Sequence, residues 1–281
     1  MAPTMISVKK NSDASKHMTP TNTLPPRPLP TPPARKTFDL GITQSTVQTN
    51  LFGFQGAPNS GKTTAALKFP NPLVLDFDKK LPPGVPSVDF WNPEVVQRIT
   101  PCSTRPNRRD ALKKWLSEAR TMLDPSTTVI LDSYTTLMVD WDLHAEADPS
   151  PYLNKKGEVD GFEVHRQKLL YNNTIIERLS ALPCRVIVTF HEQVERDEKG
   201  NATGKFRPLV SGQFGDQVAG RFSNFFRCNC VEDKDGKLIY TWQIRSTNLF
   251  NAVRSPEYKF PEDLKIIPAE YTELQKYKVS R

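Results

Sequence analysis

Gly56-Ala57-Pro58-Asn59-Ser60-Gly61-Lys62-Thr63 is the stretch on which the fold turns. It has the form G-x-x-x-x-G-K-[ST], with the apolar run Leu51 to Gln55 before it and a helical pattern from Thr63 to Phe69 after it. A buried strand, a glycine loop and a helix in that order form a phosphate cradle. Gly56 and Gly61 let the backbone wrap tightly, so that successive N–H groups point at phosphate oxygens. The helix adds the positive end of its dipole. Lys62 neutralises the outer phosphates and the Thr63 hydroxyl ligates Mg²⁺. The binding segment is therefore expected to comprise Gly56, Ala57, Pro58, Asn59, Ser60, Gly61, Lys62, Thr63 and Thr64.

A cradle of this kind needs a carboxylate at the end of a neighbouring buried strand. Thr128-Val129-Ile130-Leu131-Asp132 supplies one, so Asp132 is expected to hold Mg²⁺ together with Thr63. Ser133 follows, where many ATPases carry a glutamate that activates water. The base must then come from elsewhere. Leu73-Val74-Leu75-Asp76-Phe77-Asp78 ends in two acids on one strand face, with Asp78 as the candidate and Asp76 as its rival. His191 closes the later run Arg185 to Phe190, where a polar side chain can sense the γ-phosphate; Glu192 and Gln193 compete for that role.

Outward from these motifs, short β-type runs alternate with helical patterns, as in parallel α/β proteins. Strands are expected at Leu73 to Phe77, Ser87 to Trp91 and Thr128 to Leu131. Helices are expected over 108–123 and from Phe162 to Leu182. Residues 145–161 and 195–217 read as long loops. Phe225 to Val231 and Leu238 to Ile244, joined by Asp233-Lys234-Asp235-Gly236, read as a hairpin. A short charged helix is expected after Pro268.

The chain has 281 residues, 37% of them hydrophobic, and a formal net charge of +7, a moderate excess compatible with an anionic partner. Residues 1–37 are polar and proline-rich, and are expected to be a disordered tail. Within them Arg27-Pro28-Leu29-Pro30-Thr31-Pro32-Pro33 fits a polyproline-ligand pattern or a plain extended linker. Cys102, Cys184, Cys228 and Cys230 lack zinc-like spacing, as expected of free thiols in a reducing compartment. No apolar run approaches the roughly 18 residues of a membrane span, and Met1 to Lys10 lacks a signal-peptide core. A cytoplasmic protein is expected.

The order of these elements resembles the RecA-like recombinase ATPases, and more narrowly the compact RecA-like ATPases of bacteriophages linked to single-strand annealing and recombination. Gly56 to Thr64, Leu75-Asp76-Phe77-Asp78, Val129-Ile130-Leu131-Asp132-Ser133, Val186 to Glu192 and Tyr240 to Arg245 carry the resemblance, which covers roughly residues 50–255. It implies a RecA-like P-loop core, with a twisted, mostly parallel sheet flanked by helices and an antiparallel hairpin at one edge. The strand ending at His191 should lie between the cradle strand and the Asp132 strand. The implied domains are the tail, an ATPase domain over 38–260, and a charged segment over 261–281.

By the same resemblance, Asp78 falls where RecA-like proteins usually carry a catalytic glutamate one methylene longer. Arg245 falls near basic residues that reach the ATP of a neighbouring subunit, with Arg221 and Arg254 as substitutes. The two long loops fall where the family binds single-stranded DNA; the first offers Tyr152, Lys155 and Lys156, the second Lys199, Lys205, Phe206 and Arg207. Several acids, among them Glu158, Asp160 and Glu195, dilute that charge. The implied partners are single-stranded DNA, further copies of the chain in a ring or filament, and a single-strand-binding protein. The implied cofactors are ATP and Mg²⁺.

Four other P-loop classes fit less well. Val210-Ser211-Gly212-Gln213 is like the ABC signature but lies after Asp132 instead of before it. Asn154-Lys155-Lys156-Gly157 lacks the acid of the guanine motif. The 195–217 segment is poor in arginine for a kinase lid. An AAA+ remodeller would show Asp-Glu and a helical C-terminal domain. The alternatives that stay open are a helicase or packaging motor on the same core, and a nucleotide-gated loader with slow hydrolysis.

Overall fold

The computed structural model describes residues 50–279 apart from 102, 104–106, 211–212, 249 and 251–252. The proline-rich tail, Cys102 and Ser211-Gly212 lie outside the described residues. In chain order the elements are β1 (Leu51–Gly56), α1 (Lys62–Leu67), β2 (Pro72–Asp76), β3 (Ser87–Asp89), α2 (Pro93–Ile99), α3 (Arg108–Met122) and β4 (Thr128–Asp132). Then come α4 (Tyr134–Ala147), a 3-10 turn at Ser150–Tyr152, α5 (Gly161–Ser180), β5 (Arg185–Arg196), β6 (Ala202–Pro208) and α6 (Gln213–Gln217). A second 3-10 turn at Val218–Arg221, β7 (Asn224–Glu232), β8 (Leu238–Gln243), β9 (Ile266–Pro268) and α7 (Tyr271–Gln275) complete them.

The central sheet runs β3-β2-β4-β5-β1-β7-β8-β9. The first six strands are parallel, and β8 and β9 are antiparallel at the edge. This is the α/β class expected from the sequence. As expected, β5 separates the cradle strand β1 from the Asp132 strand β4.

The apolar runs are continuous because both faces of the sheet are covered. Val129, Leu131, Val186, Val188 and Phe190 face one way, into a core shared with α3, α4 and α5. Ile130, Ile187, Phe52, Phe54 and Phe226 face the other, against Ala65, Ala66 and Phe69, with Trp242 beside them. Successive residues of one strand thus serve opposite cores.

Three segments differ from the sequence reading. The 145–161 loop is shorter, because α4 continues to Ala147 and a 3-10 turn follows at Ser150–Tyr152. No helix over 134–147 was expected, yet Ser133 caps it by accepting from the Thr136 N–H, and Tyr134, Leu137, Met138, Trp141 and Ala145 bury one stripe. The pairs Tyr134–Asn172 (2.6 Å) and Asp142–Lys168 (2.7 Å) set α4 antiparallel to α5.

The 195–217 loop is mostly a hairpin. β5 runs on past His191 to Arg196 and β6 folds back along it, pairing Gln193 with Arg207 and Val194 with Phe206. Alternate apolar residues are too sparse here to announce strands, and the backbone pairing of the two arms makes up the difference. Beyond residue 260, β9 adds to the sheet through β8, and Ile267, Ala269 and Leu274 are buried against the α1 side of the core.

Candidate functional site

The cradle has the local geometry its sequence calls for. Gly61 caps α1 with φ +81°, a left-handed conformation that disfavours a side chain. A methyl group on Gly56 would lie 2.3 Å from Ser60 Oγ and 2.6 Å from the Cys228 carbonyl, so the loop can close only around glycine. Ala57, Pro58 and Asn59 are exposed at the rim, as is Thr64 on the first turn of α1.

Lys62 is 6% exposed, and its ammonium donates to the carbonyl oxygens of Gly56 (3.0 Å) and Ala57 (2.8 Å). Burial pushes its pKa down, against the opposing pull of Cys228, Asp132, Glu192 and Asp78. Ser60 Oγ is buried with no protein hydrogen-bond partner. A cation folded onto loop carbonyls beside an unsatisfied buried hydroxyl suits a polyanion, whose oxygens would satisfy both.

Beneath the cradle, Thr63 Oγ1 donates to Asp132 Oδ2 at 2.8 Å, and Thr189 Oγ1 donates to Asp132 Oδ1 at 2.5 Å. Burial pushes the Asp132 pKa up, opposed by those two hydroxyls. Two residues 69 positions apart therefore place a hydroxyl and a carboxylate oxygen in contact. That donor set is hard and oxygen-only, and could hold Mg²⁺ once phosphates and water complete the shell. Among the described residues no group of three His, Cys, Asp or Glu side chains is placed to hold a metal unaided.

Asp78 lies just past β2, whose Asp76 is in register with Asp132 of β4. The N–H groups of Phe77 and Asp78 donate to the Asp132 carbonyl (2.7 and 3.2 Å), which folds the chain over the end of β4. Asp78 Oδ1 accepts from Ser133 Oγ (2.9 Å) and Thr136 Oγ1, and Oδ2 lies 3.5 Å from His191 Nε2. Burial pushes its pKa up, but the contacts with His191, Thr136 and Ser133 outweigh this and hold the carboxyl well below the usual range. So held, Asp78 is a firm anion that orients its neighbours.

Its rival is committed to the backbone. Asp76 Oδ1 accepts the N–H groups of Asp78 (3.0 Å) and Lys79 (2.8 Å), forming the turn that ends β2. Burial raises its pKa, opposed by those two bonds.

His191 is in register with Gly56, the first residue of the cradle. Its N–H donates to Thr135 Oγ1 (3.0 Å), and Nδ1 is buried without a hydrogen-bond partner. His191 thus stands between the cradle and Asp78. Glu192 turns to the other side, where Arg227 of β7 grips it through two hydrogen bonds (2.8 and 2.9 Å) and Gln55 approaches at 3.5 Å. Sequence reading named Glu192 and missed Arg227, Thr189 and Thr136, whose partners are distant in sequence. For Thr189 and Arg227 the one available signal was a polar residue interrupting a buried strand; Thr136, on α4, gave none.

The remaining expected residues are spread more widely. Arg245 falls two residues past β8, and its guanidinium donates to the carbonyl oxygens of Leu264 (3.3 Å), Phe260 (3.1 Å) and Pro261 (2.8 Å). Arg254 donates to the Gly220 carbonyl (3.1 Å), and Arg221 is exposed at the end of its 3-10 turn. Lys155, Lys156, Lys199 and Lys205 are exposed. Tyr152 is not available to bases: it is 6% exposed and packs on Trp141 with ring centres 5.9 Å apart. Phe206 is half-buried and lies under the Arg227 guanidinium at 4.2 Å, and Arg207 is half-buried beside it. Both aromatics were read as loop residues, and the secondary structure around them draws them inward.

Cys184, Cys228 and Cys230 are free thiols, and burial pushes Cys228 up to about 12. No helix among the described residues is long and apolar enough to cross a membrane.

Comparison with known proteins adds the family. No curated protein matches the chain by sequence. Among solved structures, the RadB recombinase is similar with TM-score 0.35 and 14% identity, over 73% of this chain and 84% of that one. A KaiC-like protein from the hyperthermophilic archaeon Pyrococcus horikoshii OT3 is similar with TM-score 0.38 and 11% identity, over 78% and 89%. The family model described as an AAA domain matches residues 52–251, from the cradle strand to beyond β8. An AAA+ remodelling machine was set aside from the sequence for want of Asp-Glu and a helical C-terminal domain. The family that matches is nonetheless an AAA domain, so the match does not uphold that exclusion. With the P-loop, the intervening strand β5 and a match over well more than half its length, the chain belongs to the AAA domain family of P-loop proteins.

Proposed function

We propose that the protein binds and hydrolyses ATP with Mg²⁺, and that it couples this cycle to single-stranded DNA in recombination or annealing. The contact of Thr63 with Asp132 under the glycine loop carries the ATPase reading, because a metal-phosphate site needs a hydroxyl and a carboxylate together at that point. Gly56 to Thr64 cradle the phosphates and Lys62 swings from the loop carbonyls to the outer phosphates. Thr63 and Asp132 would hold Mg²⁺, which when bound would supply charge neutralisation at the reacting phosphate. Asp78 acts with His191: the anion fixes the imidazole, and the pair orders a water facing the cradle and responds to the γ-phosphate. This supports a positioning role for Asp78 more than proton abstraction, since its carboxyl is held in the charged, weakly basic form.

The DNA reading rests on the resemblance to phage RecA-like ATPases and on the exposed Lys155, Lys156, Lys199 and Lys205. Further copies of the chain, and a single-strand-binding protein, are its proposed partners. Arg245 reaches a neighbour's ATP only if it leaves the carbonyls of Phe260, Pro261 and Leu264. The test is the rate of ATP hydrolysis with and without single-stranded DNA, for wild type and Lys62→Ala. Stimulation by DNA that is lost in Lys62→Ala supports the proposal. A wild-type rate indifferent to DNA, with no DNA binding, removes its DNA half.

A further inference from the structure

The cradle gives its ligand a direction. Thr63 meets Asp132, which lies at the end of β4, two strands from β1 on the β5 side. On the proposed reading, on which this inference rests, the metal and terminal phosphate belong on that side. The nucleoside end must then leave past the opposite side of β1, where β7 and β8 lie.

An aromatic ring stands there. A methyl group on Gly61 would lie 2.2 Å from Cδ1 and 2.7 Å from Cε1 of Tyr240, so the ring rests directly on the cradle glycine. Tyr240 shares its sheet face with Trp242 by strand alternation, and Trp242 is fully buried against Phe54 and Phe69. Tyr240 is one step nearer the tip of the hairpin and only half-buried. Packing against Gly61 and the edge of the α1-side core fixes its position beside the cradle, where the residue stays partly exposed. The chain also lacks an N-K-x-D motif that would read a guanine edge.

We infer that Tyr240 is the wall on which the base and sugar of the bound nucleoside triphosphate rest. The site then grips the triphosphate through the loop and the base through an aromatic face. Every nucleobase has such a face, so this contact adds affinity without strict choice of base.

Equilibrium binding of ATP, GTP and inorganic tripolyphosphate, each with Mg²⁺, tests this in wild type, Tyr240→Ala, Tyr240→Leu and Tyr240→Phe. Leucine keeps apolar packing on Gly61 and removes the ring, which guards against loss of fold in the alanine variant. Removal of the ring should weaken ATP and GTP by about tenfold each and leave tripolyphosphate unchanged, while phenylalanine behaves as wild type. Unchanged ATP affinity in both Tyr240→Ala and Tyr240→Leu would overturn the inference. So would an equal loss for tripolyphosphate and ATP. Failure of the parent reading looks different: wild type would then bind neither ATP nor tripolyphosphate.

Discussion

Arg227 donates two hydrogen bonds to Glu192, from Nε at 2.8 Å and from Nη2 at 2.9 Å. The pair joins β7 to β5 next to the cradle strand, and the Glu192 side chain is only 6% exposed. Arg227→Ala would leave that carboxylate buried without its cation, at a cost of about 3–5 kcal/mol. Urea unfolding should show this loss, and the double variant Arg227→Met with Glu192→Met should recover much of it. A loss below about 1 kcal/mol in the single variant would show that the pair is solvated in solution.

Thr63→Val removes the hydroxyl that meets Asp132 and keeps the side-chain shape. Nucleotide affinity measured with Mg²⁺ should fall at least about tenfold, while affinity measured with EDTA changes little. Asp132→Asn should do the same. An equal loss with and without Mg²⁺ would point to a distorted loop instead of a metal ligand.

Asp78 makes acid stability a direct readout. Its folded-state pKa is depressed, so the stabilisation is fully present above the unfolded value of about 4 and is lost as pH falls through the folded value. The difference in unfolding free energy between wild type and Asp78→Asn should therefore be constant near neutral pH and shrink below about pH 4. In the same variant, hydrolysis should fall about 100-fold as the water loses its orientation, with nucleotide binding retained. A stability difference that does not change on acidification would show that Asp78 is not held by His191, Ser133 and Thr136.

Gly61→Ala combines two penalties, a φ of +81° and a methyl group against the Tyr240 ring. The left-handed backbone alone costs roughly 1–2 kcal/mol. Thermal unfolding should show at least that loss, and adding Tyr240→Ala should relieve the clash while leaving the backbone term. No recovery in the double variant would show that the ring moves aside freely.

Charge reversal separates surface lysines from buried aromatics. Lys199→Glu with Lys205→Glu should weaken single-stranded DNA binding. The slope of log affinity against log salt should also become shallower, by about 0.7 for each phosphate that a lysine no longer neutralises. Tyr152→Ala should instead lower stability by about 3–5 kcal/mol, since its ring packs in the core on Trp141. A salt slope unchanged in the lysine variant would place the DNA elsewhere.

The sequence carried the phosphate cradle and the Asp132 strand, because each rests on local rules, whereas the placing of β5 between them was implied only by the family resemblance. Glycine is needed where the loop must close, and an acid ending a buried strand is conspicuous among apolar neighbours. Helix α4 was legible in principle from Tyr134, Leu137, Met138, Trp141 and Ala145, but Thr135, Thr136 and Val139 among them blur the helical period. The hairpin of β5 and β6 was not, because its residues are mostly polar and their pairing is long-range.

Chemical type was thus written locally: which side chains are acid, cation or hydroxyl, and which strand ends bear them. Their pairings belong to the fold. Thr63 meets Asp132, Arg227 meets Glu192, Asp78 meets His191 and Tyr240 rests on Gly61 only because the sheet order sets β1, β5 and β4 side by side and β7 and β8 across from them. Hydrogen bonds and ring contacts act over a few ångströms, whereas these partners are tens of residues apart along the chain. Only the tertiary structure brings them within that range.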